Sequence, residues 1–171
     1  MGNSLNTPER CEPEGGPIAL PWDLSEWHSK ESLLRWIRDE VESLDWANPE
    51  LVAYLASQPT QQPKLLLCLL SYAYSTGVYE SEEIVRMCYR DEVLRDFVHA
   101  NVPEPSAITR FRRENRGLLK WSLLQVLKHA LRGKISFGEA WMPAGLRRWL
   151  TESAIARLDL ARHLDRRSQE A

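Results

Sequence analysis

The sequence predicts an all-α fold: a compact multi-helix domain with a helix-turn-helix-like element, preceded by a disordered N-terminal leader. Apolar residues recur at the three- and four-residue spacing of amphipathic helices. Proline, glycine and capping residues separate these stretches, and the strand-like fragment Lys134–Phe137 is short. The chain has 171 residues, 43% of them hydrophobic, and seven tryptophans, so it can bury the core of one domain.

The composition changes along the chain and predicts three regions. Prolines and glycines are frequent near the N-terminus, where large apolar side chains are few. Such a segment cannot bury enough apolar surface to offset the entropy lost on ordering. We therefore expect a disordered leader over residues 1–24, a helical domain over 25–133 and a C-terminal amphipathic helical segment over 134–171.

Two helices are predicted at the start of the helical domain. Ser29 can cap the first, whose apolar residues form one stripe and which extends to about Leu44. Asn48 followed by Pro49 is a cap with proline at the first helical position, which predicts a second helix over residues 50–57.

Three further helices follow in the middle of the chain. Pro63 opens a helix over residues 64–75 that is apolar on nearly every side, which predicts a central position in the core. Ser81 and Asp91 are capping residues for two short helices, the second of which extends through Val98.

The last part of the chain is predicted to hold a short basic helix and two longer apolar ones. Ser106 can cap the basic helix, which then starts at Ala107. Gly117 weakens or bends it before an apolar helix over residues 118–131. An amphipathic stretch over residues 149–164 carries arginines between its apolar positions.

The basic helix is the candidate functional element. Ile108, Phe111 and Leu118 fall on one side at 100° per residue, and the arginines spread over the other. Phe111→Ala should therefore cost roughly 3–5 kcal/mol of stability through lost burial. A helix of this kind after two short helices resembles the recognition helix of a helix-turn-helix motif. The alternative is a plain solvated charged surface, which has the same pattern. The predicted base contacts are Thr109, Arg110 and Arg113, and the predicted phosphate contacts are Arg112, Arg116, Lys120 and Lys128.

The net charge of −2 conceals two halves of opposite sign. Residues 1–104 carry 8 Lys and Arg against 18 Asp and Glu, whereas residues 105–171 carry 14 against 6. A strongly basic half favours a polyanionic partner such as double-stranded DNA. The alternative is that the acidic half simply packs against the basic half.

The sequence gives no sign of a membrane span, a secretion signal or a metal site. No apolar run approaches the ~20 residues of a membrane helix, and the N-terminus lacks a basic start and an apolar core, which predicts a cytoplasmic protein. The three cysteines and four histidines show no metal-binding spacing, so we expect no cofactor and no metal.

Residues 63–119 resemble the N-terminal helical domain of bacterial insertion-sequence transposases of the DDE type, the InsH-like group. Three segments carry the likeness: 63–67 continuing to Gly77, 80–84 continuing to Asp91, and Pro103-Glu-Pro-Ser followed by Ile-Thr-Arg-Phe-Arg. The last segment usually has an aspartate after its proline, where this chain has Glu104.

The resemblance implies binding to terminal repeats of DNA. It does not imply catalysis, because relatives carry a strand with an Asp-Gly pair after this region, and residues 133–141 contain none. We therefore expect a truncated or split transposase that binds DNA and is not itself an enzyme. The alternatives are a regulatory or interaction module that pairs with itself or another chain through residues 149–164, and the DNA-binding half of a transposase with a separate catalytic chain.

Overall fold

The computed structural model describes residues 19–45, 62–135 and 144–170, and within these ranges it forms helices and no strand. A short 3₁₀ turn, Leu24–Glu26, precedes seven α-helices. The all-α prediction is confirmed. The helices are α1 (Lys30–Glu42), α2 (Pro63–Ser75), α3 (Ser81–Arg90), α4 (Glu92–Val98), α5 (Pro105–Glu114), α6 (Arg116–Arg132) and α7 (Ala144–Glu170).

Helix α2 lies at the centre of the fold. It packs against α1, α5 and α6, and its residues from Leu66 to Ser75 are all buried. A helix surrounded on several sides needs apolar residues around its whole circumference, which explains its unbroken apolar sequence. The predicted central position of this helix is confirmed.

Two predicted caps are present. The Ser29 hydroxyl accepts a hydrogen bond from the backbone N–H of Ser32 at 3.2 Å, and α1 then ends at Glu42, slightly before the predicted Leu44. The Asp91 carboxylate accepts from the N–H groups of Val93 and Leu94 at 3.0 and 3.2 Å and so caps α4. These bonds satisfy N–H groups that have no partner inside the helix.

Asp91 also connects three helices. Its second carboxylate oxygen accepts from Lys30 Nζ at 2.7 Å and from the Tyr72 hydroxyl at 3.2 Å. Burial opposes the charged form of Asp91, but these bonds outweigh it and hold the pKa of the carboxyl below its ordinary value. The cap of α4 is thereby joined to α1 and α2.

Two other predicted caps are wrong. Ser81 is the first residue of α3, and Glu80 takes the capping position without a side-chain bond. Helix α5 starts at Pro105, so Ser106 lies inside it and is exposed. Proline is well suited to the first helical position because it has no N–H to leave unsatisfied, and this moves the start of α5 ahead of Ser106.

The break between α5 and α6 lies at Asn115, not at the predicted Gly117. Asn115 has non-helical backbone angles, φ −117° and ψ 29°, and its side-chain amide donates to the Phe111 carbonyl at 3.0 Å. Side chains of this kind compete with the helical hydrogen bond of the backbone. The break shifts the phase of the following helix, so that Leu119 is fully buried while Leu118 is only partly buried.

Helix α7 packs against α6 and belongs to the same core as the preceding helices. Its buried stripe consists of Leu150, Ala154, Leu158 and Ala161. The predicted helical, amphipathic character of residues 149–164 is confirmed. Helix α7, which falls in the region predicted as a separate C-terminal segment, is thus packed into the domain.

The N-terminal residues 19–24 are also part of the fold. Leu24, which the prediction assigned to the leader, is fully buried. The buried Arg157 of α7 donates to the Pro21 carbonyl at 2.6 Å, and its guanidinium lies 5.0 Å from the centre of the Trp22 ring. The rest of the predicted leader, the predicted helix over 50–57 and the last two residues of the strand-like fragment lie outside the described residues.

Candidate nucleic-acid interface

Helix α5 has one buried face and one exposed face. Ile108 and Phe111 are fully buried, whereas Arg110 and Arg113 are exposed. Arg113 has 76% of its side chain exposed. The structure therefore places these two predicted base contacts on the surface.

Arg112, a predicted phosphate contact, does not point outward. Only 5% of its side chain is exposed. Its Nη1 donates to the Ala161 carbonyl and lies 2.9 Å from an Asp165 oxygen, and its Nη2 donates to the Ser81 hydroxyl at 3.2 Å.

Helical spacing could have identified this burial. Arg112 follows Ile108 by four residues, which places the two side chains on the same face of the helix. The guanidinium of Arg112 also lies 5.5 Å from the centre of the buried Tyr74 ring, an arrangement in which a cation is attracted to the ring face. Arg112 thus connects α5 to α3, α2 and α7.

Thr109 is half-buried and bonded inside the fold. Its hydroxyl shares a hydrogen bond of 2.9 Å with the Ser81 hydroxyl, which also donates to Asp165 at 3.2 Å. Burial raises the pKa of Asp165 in spite of the opposing effects of Arg112 and Ser81. Ser81, predicted as a cap, is instead the centre of this polar cluster.

The three predicted phosphate contacts on α6 lie in different settings. Arg116 donates to Asp159 of α7 at 2.8 Å and remains partly exposed, and Lys120 is exposed one helical turn further on. Lys128 is half-buried and donates to Gln125 at 3.4 Å. It lies about 18 Å along α6 from Arg116, so the structure does not bring it into the same group.

A cleft of about 370 Å³ lies between α5, the start of α6 and α7, and we call it the arginine cleft. Five arginines and one aspartate line it, which leaves it strongly positive. The sequence prediction missed Arg162 and Arg166, although their four-residue spacing on an amphipathic helix places them side by side. The lining residues are Thr109, Arg112, Arg113, Arg116, Leu158, Arg162, Asp165 and Arg166.

A second cleft, of about 420 Å³, lies on the other side of α5. Its walls include Leu65 of α2, Asn101 and Pro103 of the connection before α5, and Arg110. Arg110 and Arg113 therefore border different clefts. The part of α5 that carries these two arginines lies between the clefts, and we call it the exposed ridge. This ridge is the most accessible basic part of the predicted site.

Neither a metal site nor a membrane helix is found in the described parts of the chain. Across residues 19–45, 62–135 and 144–170, no three His, Cys, Asp or Glu side chains are grouped so that they could hold a metal ion. Within the same ranges no helix has the length and apolarity that crossing a membrane would require.

Helix α3 packs against both the short helix α4 and the basic helix α5. Comparison with known families shows a match to the family described as "Transposase domain (DUF772)" over residues 22–114, more than half of the chain. No curated protein and no solved structure matches the chain. The matched residues contain α1 to α5 and the exposed ridge with Arg110 and Arg113, and the chain belongs to this transposase-domain family.

Proposed function

We propose that this protein is a DNA-binding module of transposase descent that recognises the terminal repeats of an insertion element. The observation that carries the proposal is the exposed ridge of α5, in which Arg110 and Arg113 face solvent within a transposase-family domain. The resemblance of residues 63–119 to the N-terminal domain of InsH-like transposases supports terminal repeats as the target. The protein acts on double-stranded DNA by binding it.

The dimensions of α5 suit a major groove. The helix has 10 residues, a length of about 15 Å, and the groove is about 12 Å wide. Arg110 and Arg113 are one turn apart, so both can reach base edges, and arginine makes a two-bond contact with guanine. In this orientation Arg116 and Lys120 lie outside the groove, near the phosphates of the DNA backbone.

The competing proposal of an interaction module using α7 has less support. The apolar side chains that motivated it, among them Leu150 and Leu158, are buried against the protein's own core. A partner would have to displace this packing before it could use them. The exposed ridge of α5 needs no such rearrangement.

The target sequence can be found by selection from a random library of DNA duplexes. We expect one sequence to be enriched and to recur as an inverted repeat flanking the coding region. Binding of this duplex, and of a scrambled duplex of the same composition, is then measured by electrophoretic mobility shift. Enrichment of no sequence would argue against terminal-repeat recognition.

The double variant R110A/R113A should lose the preference for the selected duplex. Each arginine–guanine contact contributes about 1–3 kcal/mol of discrimination, so we expect a loss of at least tenfold. The matched control is R35A/R95A, which removes two exposed arginines of α1 and α4. If R110A/R113A discriminated between the duplexes as well as the wild type, the assignment of α5 as the reading helix would be wrong.

A further inference from the structure

Five of the eight residues that line the arginine cleft lie outside the family-matched residues. Arg113 and Arg116 lie at the end of α5 and the start of α6, whereas Arg162 and Arg166 belong to α7. The family match ends at residue 114, well before α7 begins. The α7 wall is therefore a feature of this chain that the family assignment does not account for.

Helix α7 is held firmly at this point. Arg112 donates to the carbonyl of Ala161, the residue directly before Arg162, at 2.9 Å, and pairs with Asp165, the residue directly before Arg166. Leu158 and Ala161 are buried in the core on the same helix. The two cleft arginines of α7 thus project from a backbone that is anchored beside each of them.

The cleft arginines are available for a phosphate. Arg162 is 58% exposed, and the Asp159 oxygen with which it pairs is 3.7 Å away. Arg116 pairs with Asp159, which is itself about half exposed. Exposed pairs of this kind contribute little to stability, so a phosphate oxygen can replace the carboxylate.

The floor of the cleft is formed in part by Arg112. Its guanidinium is held by Ala161, Asp165 and Ser81, so it adds positive charge beneath the exposed arginines and does not itself contact a phosphate. A guanidinium presents its donors as a planar fork that matches the oxygens of a phosphate. Several such forks facing one cleft are suited to a polyanion with regularly spaced phosphates.

We propose that the arginine cleft binds the phosphate backbone of DNA and that α7 supplies Arg162 and Arg166 to it. This inference rests on the proposed function, because it places the backbone beside the base pairs that α5 reads. Helix α7 thereby acts as a second DNA-contacting element. Its contacts add affinity without adding sequence preference.

The test measures DNA affinity as a function of salt for R162A/R166A, using fluorescence anisotropy with the selected and the scrambled duplex. Each lost phosphate contact reduces the slope of log affinity against log salt by about 0.9, so the slope should fall by about 1.8. Affinity at low salt should fall on the order of tenfold for both duplexes alike. The variant R162K/R166K keeps the charges and should keep most of the salt slope.

The matched control is R147A/R148A, which removes two exposed arginines from the other end of α7. It should leave the affinity and the slope near the wild-type values, and circular dichroism should show the same helix content for all variants. A salt slope for R162A/R166A equal to that of R147A/R148A would overturn the proposal.

The two proposals can fail separately. If R110A/R113A loses discrimination while R162A/R166A binds like the wild type, DNA recognition by α5 stands and the cleft assignment is wrong. If R162A/R166A weakens binding to duplexes of arbitrary sequence but no sequence is ever enriched, the cleft assignment stands and terminal-repeat recognition is wrong. If the wild type binds no duplex, both are wrong.

Discussion

Arg112 and Arg113 are neighbours in the sequence with opposite surroundings. Arg112 is bonded to three partners in the interior, and Arg113 extends into solvent. A buried arginine of this kind depends on every one of its partners, because an uncompensated buried charge is costly. We therefore expect Arg112 to contribute to stability and Arg113 to contribute to DNA binding.

We predict that Arg112→Ala lowers the free energy of unfolding by about 3–5 kcal/mol, since it leaves Asp165 buried without its cationic partner. Arg113→Ala should change it by no more than about 0.5 kcal/mol, as is usual for exposed positions. Urea unfolding followed by circular dichroism measures both. Equal stability of the two variants would mean that the Arg112 bonds are not maintained in solution.

Sequence reasoning identified the arginine helix but treated its arginines as one outward set. The amphipathic pattern of Ile108 and Phe111 sufficed to find the buried face. The four-residue spacing from Ile108 places Arg112 on that face too. The acceptors that make its burial tolerable, Ala161 and Asp165, come from a distant helix and are not predicted by spacing. The partners of a buried charge are a property of the tertiary structure.

At the scale of single elements, the two glycines at helix ends have different roles. Gly77 follows α2 with φ +79°, a left-handed conformation that side chains other than glycine rarely adopt. Gly117 lies in the first turn of α6, where an added Cβ would have no atom within 4 Å. The backbone conformation requires glycine at position 77 but not at position 117.

Gly117→Ala should therefore stabilise the protein, by about 0.4–1 kcal/mol, because it restricts the unfolded chain and leaves the folded structure unchanged. Gly77→Ala should destabilise it by about 1–2 kcal/mol through left-handed backbone strain. Thermal unfolding of the two variants against the wild type tests this contrast. A destabilised Gly117→Ala would mean that the bend at Asn115 extends into α6.

Helix boundaries show where local rules suffice. Ser29 and Asp91 are predicted as caps because each directly precedes an amphipathic stretch, and each side chain does accept the capping hydrogen bonds. Ser81 looks the same locally, but its hydroxyl is bonded to Thr109, Arg112 and Asp165. The arginine cleft was missed for a related reason, because its two walls are far apart in the sequence.

At the scale of the whole molecule, one core connects the first helix to the last. Helix α6 packs against α1, α2 and α7, and the buried residues of all of them form one cluster. Arg157 further ties α7 to the N-terminal segment through the Pro21 carbonyl. Separate unfolding of α7 would expose apolar surface on α6. It would also break the bond of Arg157 to Pro21 and the bond of Arg112 to Ala161.

We predict that the protein unfolds in a single transition. Urea curves followed by tryptophan fluorescence and by far-ultraviolet circular dichroism should coincide, as they do for two-state domains. Leu158→Ala in α7 should move both curves to lower urea together, with a loss of about 2–5 kcal/mol. Two separated transitions would show that α7 is an independent segment.

The bonds of Arg112 connect the family-matched residues to a part of the chain beyond them. Residues 22–114 include Arg112, but its acceptors on α7 and the α6 surface that covers α2 lie beyond them. Cut from the chain at that boundary, the matched segment would hold an arginine that lacks its Ala161 and Asp165 acceptors and a central helix exposed to water where α6 covers it. The segment shared with the family thus records common descent, and the unit that can fold autonomously in this protein is larger.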